Sequence, residues 1–153
     1  MSESGREAIL MFLEGIGLRV EVGAVSSDSF LPGVTLIPGG LRHDPACLLS
    51  PGDLLHEAGH LAVLTPAERA RASGTLDAGP QEEMAAIAWS WAALVHLRLP
   101  PPLLFHPGGY KGQAGALLMN CQWGVVPGVA TLLALGMCKP GGYPDLDHWL
   151  RQG

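Results

Sequence analysis

The chain carries little charge, and positive charge is the scarcer sign. Only nine of its 153 residues are Lys or Arg, and the formal net charge is −5 at pH 7. Proteins that bind nucleic acid directly gather basic side chains on one face to neutralise phosphates. This chain has too few basic residues for such a face, so we expect no nucleic acid among its partners.

Membrane-length apolar runs and cysteine pairs are missing as well. The longest apolar runs, Met84–Val95 and Val125–Met137, are shorter than the roughly 18–20 residues of a membrane span, and we interpret both as buried core helices. The polar, partly acidic N-terminus is not typical of a secretory signal. Three widely spaced cysteines indicate reduced, mostly buried thiols: Cys47, Cys121 and Cys138. These features predict a cytoplasmic protein without a membrane partner.

Apolar residues are abundant and point to a folded core. They make up 48% of the chain against 15% charged residues, a balance that argues against disorder, and we predict one domain over residues 1–153. Alternating residues predict a strand at Leu18–Val22, and a Pro-Gly-Gly turn separates predicted strands at Val34–Ile37 and Leu41–His43. The predicted fold class is α+β, with a small antiparallel or mixed sheet in the N-terminal third packed on a helical core.

Helices are predicted along most of the remaining chain. Ser4 and Glu7 form a capping-box pattern ahead of a helix at Ala8–Glu14. A Gly-Pro pair opens a long helix at Gln81–Leu97, which is apolar nearly all round and is therefore predicted to be central. Shorter helices are predicted at four places: Pro66–Ala72, Gln113–Cys121, Pro127–Leu135 and Pro144–Leu150.

The motif that carries chemistry is His56-Glu-Ala-Gly-His60. Ser50-Pro-Gly-Asp53 is the clearest helix start in the sequence, with Ser50 as the expected N-cap, and the helix should end before Pro66. On a helix the two histidines lie one turn apart on one face, so both can reach one tetrahedral Zn²⁺ at about 2.0–2.1 Å. Glu57 follows the first histidine and is placed to act as general base on a water that the metal activates.

A catalytic zinc keeps three protein ligands and one open position, so a third ligand is needed. Glu82 and Glu83 open the next long helix, where one acidic residue would be enough to favour the helix dipole. Glu83 shares a helix face with Ala86 and Ser90, and such small residues would let the motif helix approach closely. This pattern favours Glu83 and leaves Glu82 as the alternative.

Hydrolysis of a carbonyl substrate at such a site also needs a donor that stabilises negative charge on the carbonyl oxygen. The candidates are Tyr110, His106 and Tyr143, of which we favour Tyr110; the alternative for this region is a turn whose aromatic residues pack on the core. Asp53 lies one turn before His56 and either orients that histidine or serves as part of the helix start.

In these motifs the sequence resembles the ImmA/IrrE-type metallopeptidases, a gluzincin-like family. The resemblance covers about residues 34–97 and rests on the His56–His60 motif and on Glu83-Met-Ala-Ala86 followed by Trp89-Ser90. Ile87 stands where the family has asparagine. The resemblance implies a minimal zincin-like domain, Zn²⁺ as cofactor, a ligand set of His56, His60 and Glu83, and cleavage of peptide bonds.

The leading functional hypothesis is therefore a zinc metallopeptidase acting on a peptide or protein substrate. The strand at Val34–Ile37, or its hairpin partner, is expected to hold an extended substrate by backbone pairing. The main alternative is a non-catalytic zinc-binding regulatory or interaction protein that retains the fold, and a third is a zinc hydrolase of non-peptide amides. The presence of Glu57 favours an enzyme, because a structural metal site needs no base. An oligomer is possible.

Overall fold

A computed structural model describes residues 2–25, 32–74, 79–106 and 114–153, with side chains from residue 5 onward. Its elements confirm the α+β class. In chain order they are α1 (Ser2–Gly15), β1 (Arg19–Val22), β2 (Val34–Ile37), β3 (Gly40–His43), α2 (Gly52–Ala62), α3 (Pro66–Arg71), α4 (Pro80–Leu97), a short 3₁₀ helix (Pro101–Leu103), α5 (Ala114–Gln122) and α6 (Val129–Ala134).

The three strands form one small mixed sheet in the order β1-β3-β2. Strand β3 runs antiparallel to β2, with Leu41 opposite Leu36, and parallel to β1, with Leu41 beside Val20. A side chain at Gly40 would collide with the backbone carbonyl of Arg19, so glycine is what lets β1 lie against β3. The predicted strand β2 and its hairpin partner β3 are both confirmed.

The N-terminal helix is longer than the sequence predicts. Helix α1 begins at Ser2, so Ser4 and Glu7 lie within it and the predicted capping box ahead of Ala8 is wrong. Acidic residues at the start of a helix interact favourably with its dipole, which allows the helix to extend toward the N-terminus. Ile9 and Leu13 are fully buried and attach the helix to the core.

Helices α2 and α4 form the centre of the molecule. Every residue of α2 is buried, and α4 is buried from Ala85 to Leu94, which confirms the central position predicted for the long helix. A Cβ atom at Gly59 would lie 2.7 Å from the carbonyl oxygen of Ala86, closer than such contacts allow. The pair Gly59 and Ala86 therefore sets the close spacing of the two helices.

The predicted N-cap of α2 is wrong. Pro51 occupies the capping position, no side chain caps the helix, and the Ser50 hydroxyl donates instead to the carbonyl oxygen of Leu103 at 2.5 Å. The 3₁₀ segment lies directly on the start of α2, because a side chain at Gly52 would collide with the Leu103 carbonyl. The Ser50 hydroxyl thus bonds to a segment that is distant in sequence and does not cap α2. The helix ends at Ala62, before Pro66 as predicted.

Two expectations for the C-terminal third are corrected. No helix forms at Pro144–Leu150, because its backbone groups bond elsewhere: the amides of Asp147 and His148 donate to the carbonyl oxygen of Met137, at 2.9 and 3.2 Å. The apolar run at Val125–Met137 is not a buried helix either. Leu132 and Met137 are fully buried, whereas Val125 is 64% exposed. Helices α5 and α6 lie close to their predicted positions.

The three cysteines are free; Cys121 and Cys138 are buried, whereas Cys47 is exposed. This confirms the prediction of mostly buried thiols. Among the described helices, none has the length and apolar character that crossing a membrane demands.

Candidate metal centre

The three polar residues of the motif come together on one side of α2. One ligand-capable atom from each of His56, Glu57 and His60 lies within 4.8 Å of the other two. The imidazole rings meet edge to face with centroids 5.0 Å apart, as residues four positions apart on a helix should. The side chains of His56 and His60 are only 3% and 7% exposed. The motif therefore concentrates two imidazoles and a carboxyl group inside the protein.

Helix α4 brings a second carboxyl group to the same place. One Glu83 oxygen, Oε1, lies 3.1 Å from His56 Nε2, and the other, Oε2, lies 3.2 Å from His60 Nε2. Four ligands at about 2.0–2.1 Å around a tetrahedral zinc would lie roughly 3.3 Å from one another. Each of the two distances is close to the separation of neighbouring zinc ligands, although a different oxygen of Glu83 makes each contact.

Glu82, the alternative third ligand, points to a different environment. It is exposed, and its carboxylate lies beside Gly79 at the start of α4. Of the two neighbouring acidic residues, Glu83 is the one that contacts both imidazoles. Its role as a metal ligand stays a prediction, but the placement agrees with the small residues on its helix face.

Close backbone contacts surround the part of α4 that directly follows Glu83. On one side Gly59 permits α2 to approach Ala86, one turn after Glu83. On the other side Gly128, with φ +90°, lies so close to the Met84 carbonyl that any side chain there would collide with it. Because both contacts involve backbone rather than flexible side chains, α4 packs tightly on its neighbours at Met84 and Ala86.

Burial and the nearby imidazoles shift the pKa values of the site's carboxyl groups in opposite directions. Burial raises the pKa of Glu57 above its ordinary value, although the nearby His56 and His60 oppose the shift. Burial also works to raise the pKa of Glu83, but its contacts with His56 and His60 outweigh it and hold that pKa well below the usual range. The two acids therefore differ: Glu83 favours its charged form, whereas Glu57 holds a proton more readily.

A second acid–imidazole pair lies beside this cluster. His106 Nε2 is 2.6 Å from Asp53 Oδ1, and the Asp53 side chain is only 1% exposed. The Asp53 side chain thus bonds to His106 and not to His56, which was one of the two roles that the sequence left open. Its other oxygen, Oδ2, is buried without a hydrogen-bond partner in the described part of the chain. Sequence reasoning missed the pair because 53 positions separate its members.

Tyr143, another candidate for the charge-stabilising donor, is bonded elsewhere. The Tyr143 hydroxyl donates to the carbonyl oxygen of Ala88 at 2.6 Å, and burial raises its pKa far above the ordinary value. This hydroxyl therefore serves the packing of α4. Tyr110, the donor that the sequence favoured, lies outside the described residues. Among the three candidates, His106 is the one that the described structure links to the motif helix.

The sheet offers less free edge for a substrate than expected. Strand β3 pairs with β1 on one side and β2 on the other, so the suggestion that it could hold an extended substrate is wrong. On the outer edge of β2, Leu36 exchanges two backbone hydrogen bonds with Gly74, at 2.9 and 3.1 Å. A peptide that paired with β2 at this position would have to replace Gly74.

Comparison with known proteins does not assign the chain to a family. Protein-family models, curated proteins and solved structures were each compared with the chain, and none of them matches it. Membership of the ImmA/IrrE-type family is therefore a proposal that rests on the motif residues alone.

Proposed function

We propose that the chain is a zinc-dependent hydrolase with a zincin-like arrangement of its site, and that it cleaves peptide bonds. His56, His60 and Glu83 would hold the zinc. The observation that carries the proposal is the position of Glu83, whose two oxygens lie 3.1 and 3.2 Å from the imidazole nitrogens of a His-Glu-x-x-His helix. Three suitable ligands thus meet from two helices that pack directly on each other.

The charges of the site are compatible with a divalent cation. Two carboxylates lie beside two imidazoles, and buried carboxylates are unfavourable unless positive charge compensates them. Glu57 is such an acid, buried with its carboxylate 4.0 Å from His56 Nε2. A divalent cation would compensate both carboxylates while the histidines stay neutral, the form in which histidine binds metal.

Glu57 would carry the protons in hydrolysis. Bound zinc supplies Lewis-acid chemistry: it polarises a carbonyl group and lowers the pKa of water. Glu57 then accepts a proton from the attacking water as the new carbon–oxygen bond forms. It returns that proton to the amide nitrogen as the carbon–nitrogen bond breaks, so the leaving group departs as a neutral amine. Burial raises the pKa of Glu57 above its ordinary value, which makes it better able to hold the proton until the amine leaves.

Solvent exposure indicates the side from which a substrate would approach. Glu83 is 38% exposed, whereas both histidines are almost fully buried. We therefore expect a substrate to approach from the first turn of α4. A peptide carbonyl would enter next to Glu83, with α2 forming the floor of the site.

The decisive experiment replaces Glu57 by Gln. Glutamine has nearly the same shape but cannot accept the proton of water, so we expect zinc content and folding to be retained and peptide hydrolysis to fall by about 10²–10⁴-fold. Elemental analysis and turnover of a quenched fluorescent peptide library measure the two effects. Glu82→Gln is the matched control and should keep both. Full turnover by a zinc-loaded Glu57→Gln protein would exclude the mechanism, and a His60→Ala protein with undiminished zinc would exclude the ligand set.

One observation favours a second candidate function, a non-catalytic zinc-binding regulatory protein. The chain's own Gly74 occupies the β2 edge at Leu36, where an extended substrate could otherwise pair. If wild type and Glu57→Gln both bind zinc but hydrolyse no peptide in the library, the result would support the regulatory protein over the enzyme.

A further inference from the structure

The outer edge of β1 is an open edge of the sheet. The amides of Arg19 and Gly23 donate to carbonyl oxygens on the β3 side, at 2.9 and 3.0 Å. Backbone groups alternate in direction along a strand, so those of Val20 and Val22 point away from β3. Within the described part of the chain, neither residue has a backbone partner on that outer side. The edge therefore offers unpaired N–H and C=O groups to another strand.

The two outer edges of the sheet differ in their protection. On β2, Leu36 already exchanges two backbone hydrogen bonds with Gly74. On β1 the apolar side chain of Val22 is 72% exposed. Proteins often use charged side chains to keep an open edge from pairing, and β1 carries two of them, Arg19 and Glu21. Their effect depends on which charges they would meet on an incoming strand.

The two charges complement each other when β1 pairs with a second copy of itself. In an antiparallel pair with Val20 opposite the partner's Val20, Arg19 lies opposite the partner's Glu21, and Glu21 opposite the partner's Arg19. The neighbouring registers that also let outward backbone groups meet are different. They place Arg19 opposite Arg19 or Glu21 opposite Glu21, and like charges directly opposite each other are destabilising. The sequence of β1 thus selects one symmetric register.

The backbone directions of β1 agree with this register. The outward amide and carbonyl of Val20 would bond to those of the partner's Val20. Arg19 and the partner's Glu21 would then form the adjacent pair without hydrogen bonds, in which side chains approach most closely. The side chains of Arg19 and Glu21 are accessible for this, being 60% and 34% exposed. Within one chain Glu21 already contacts Arg19, and Arg42 Nη2 at 3.1 Å, so the new contacts would extend an existing network.

We propose that the outer edge of β1 binds β1 of a second copy of this chain in antiparallel orientation. The two three-stranded sheets then form one continuous sheet across a two-fold axis. Strand β1 has only four residues, whereas a standard interface takes about 20–30 residues from each partner. The dimer is therefore weak and depends on protein concentration. This inference is independent of the proposed function, because it involves none of the residues of the candidate metal centre.

Exchange of single charges tests the register. Arg19→Glu gives a strand with two acids and Glu21→Arg a strand with two arginines, so each variant places like charges opposite each other in its own dimer. We expect either variant to associate at least about tenfold more weakly than wild type, because two cross-strand pairs become repulsive. An equimolar mixture should associate like wild type, since every acid then meets an arginine. Sedimentation equilibrium from about 1 μM to about 1 mM protein measures the association.

Val20→Pro tests the backbone contribution. Proline removes the outward amide that would bond across the dimer, and it leaves the pairing of β1 with β3 intact because that amide points away from β3. We expect this variant to be monomeric. Arg71→Glu makes the same charge change at an exposed arginine of α3, so it is the matched control and should dimerise like wild type.

Circular dichroism of each variant should match wild type. Glu21→Arg removes the acid beside Arg42; if it does not fold, Arg19→Glu and Val20→Pro still decide. A wild type that stays monomeric up to about 1 mM would overturn the proposal, as would a dimer that Arg19→Glu and Val20→Pro both leave unchanged. Two folded charge variants that do not associate when mixed would overturn the register. None of these measurements involves zinc or hydrolysis, so their failure is distinct from failure of the proposed function.

Discussion

At the scale of single residues, one carboxylate defines the candidate site. Glu83 uses both oxygens, one toward each imidazole, and its neighbour Glu82 uses neither. The two acidic residues are adjacent on the same helix and differ by about 100° in direction. This contrast provides a natural comparison, because the same substitution can be made at both positions with the same change in charge.

Replacing Glu83 by Gln should therefore weaken zinc binding far more than replacing Glu82 by Gln. Changes to residues that merely support metal ligands cost about 10–100-fold in affinity, so loss of a ligand should reach at least the upper end of that range. Glu82→Gln should leave affinity within about twofold. Competition with a fluorescent zinc chelator measures both. Equal losses for the two variants would show that charge, not coordination, matters at this end of α4.

At the scale of secondary-structure elements, the packing of α2 on α4 determines whether the ligands meet. The histidines belong to one helix and Glu83 to the other, so the spacing of the helices sets the distance between the imidazoles and the carboxylate. That spacing depends on Gly59, whose missing side chain leaves room for the backbone of Ala86.

Gly59→Ala should push the helices apart. The added methyl group would start 2.7 Å from the Ala86 carbonyl oxygen, so we expect a loss of about 1–3 kcal/mol in unfolding free energy and weaker zinc binding as Glu83 recedes. Gly115→Ala is the control, since a Cβ there meets nothing within 4 Å among the described residues and the position is also helical. Urea denaturation measures the stability. If Gly59→Ala matched wild type in unfolding free energy and in zinc affinity, the role of Gly59 in spacing α2 and α4 would be contradicted.

Local patterns predicted the elements well, whereas contacts between distant segments could not be predicted. The β2–β3 hairpin follows from a turn signal between two short strands, and α4 follows from an apolar run of helical length. The bonds from Ser50 to Leu103 and from Asp53 to His106 join residues 53 positions apart. No periodicity encodes such a pairing, so both polar residues were interpreted as local helix-start features.

At the scale of the whole molecule, one arginine connects the C-terminal segment to the motif helix. Arg69 of α3 donates to the carbonyl oxygens of Leu61 and Leu64, at 3.1 and 2.9 Å, and to that of Arg151 at 2.8 Å. The backbone amide of Arg151 in turn donates to Ala62 at 2.8 Å. Positive side chains and amides thus satisfy carbonyl groups at the C-terminal end of α2, which the helix itself leaves without partners.

Arg69→Ala should therefore destabilise the entire fold. Hydrogen bonds from a charged donor contribute about 1.5–3 kcal/mol, and Arg69 makes several from a partly buried position, so we expect a loss in that range or slightly above it. Arg71→Ala, which removes an exposed arginine two positions later, should change the unfolding free energy by less than about 0.5 kcal/mol. Thermal denaturation of both variants distinguishes loss of the Arg69 hydrogen bonds from the general effect of removing one positive charge.

The strand order has a consequence for how the chain folds. Strand β3 lies between β1 and β2, although it is the last of the three in the sequence. During synthesis β1 emerges first, but its partner β3 emerges last of the three strands. The β2–β3 hairpin can close by itself within about 1–10 μs. Strand β1 pairs with the remaining edge of β3 in parallel register, so we expect its docking to follow hairpin closure and to complete the sheet.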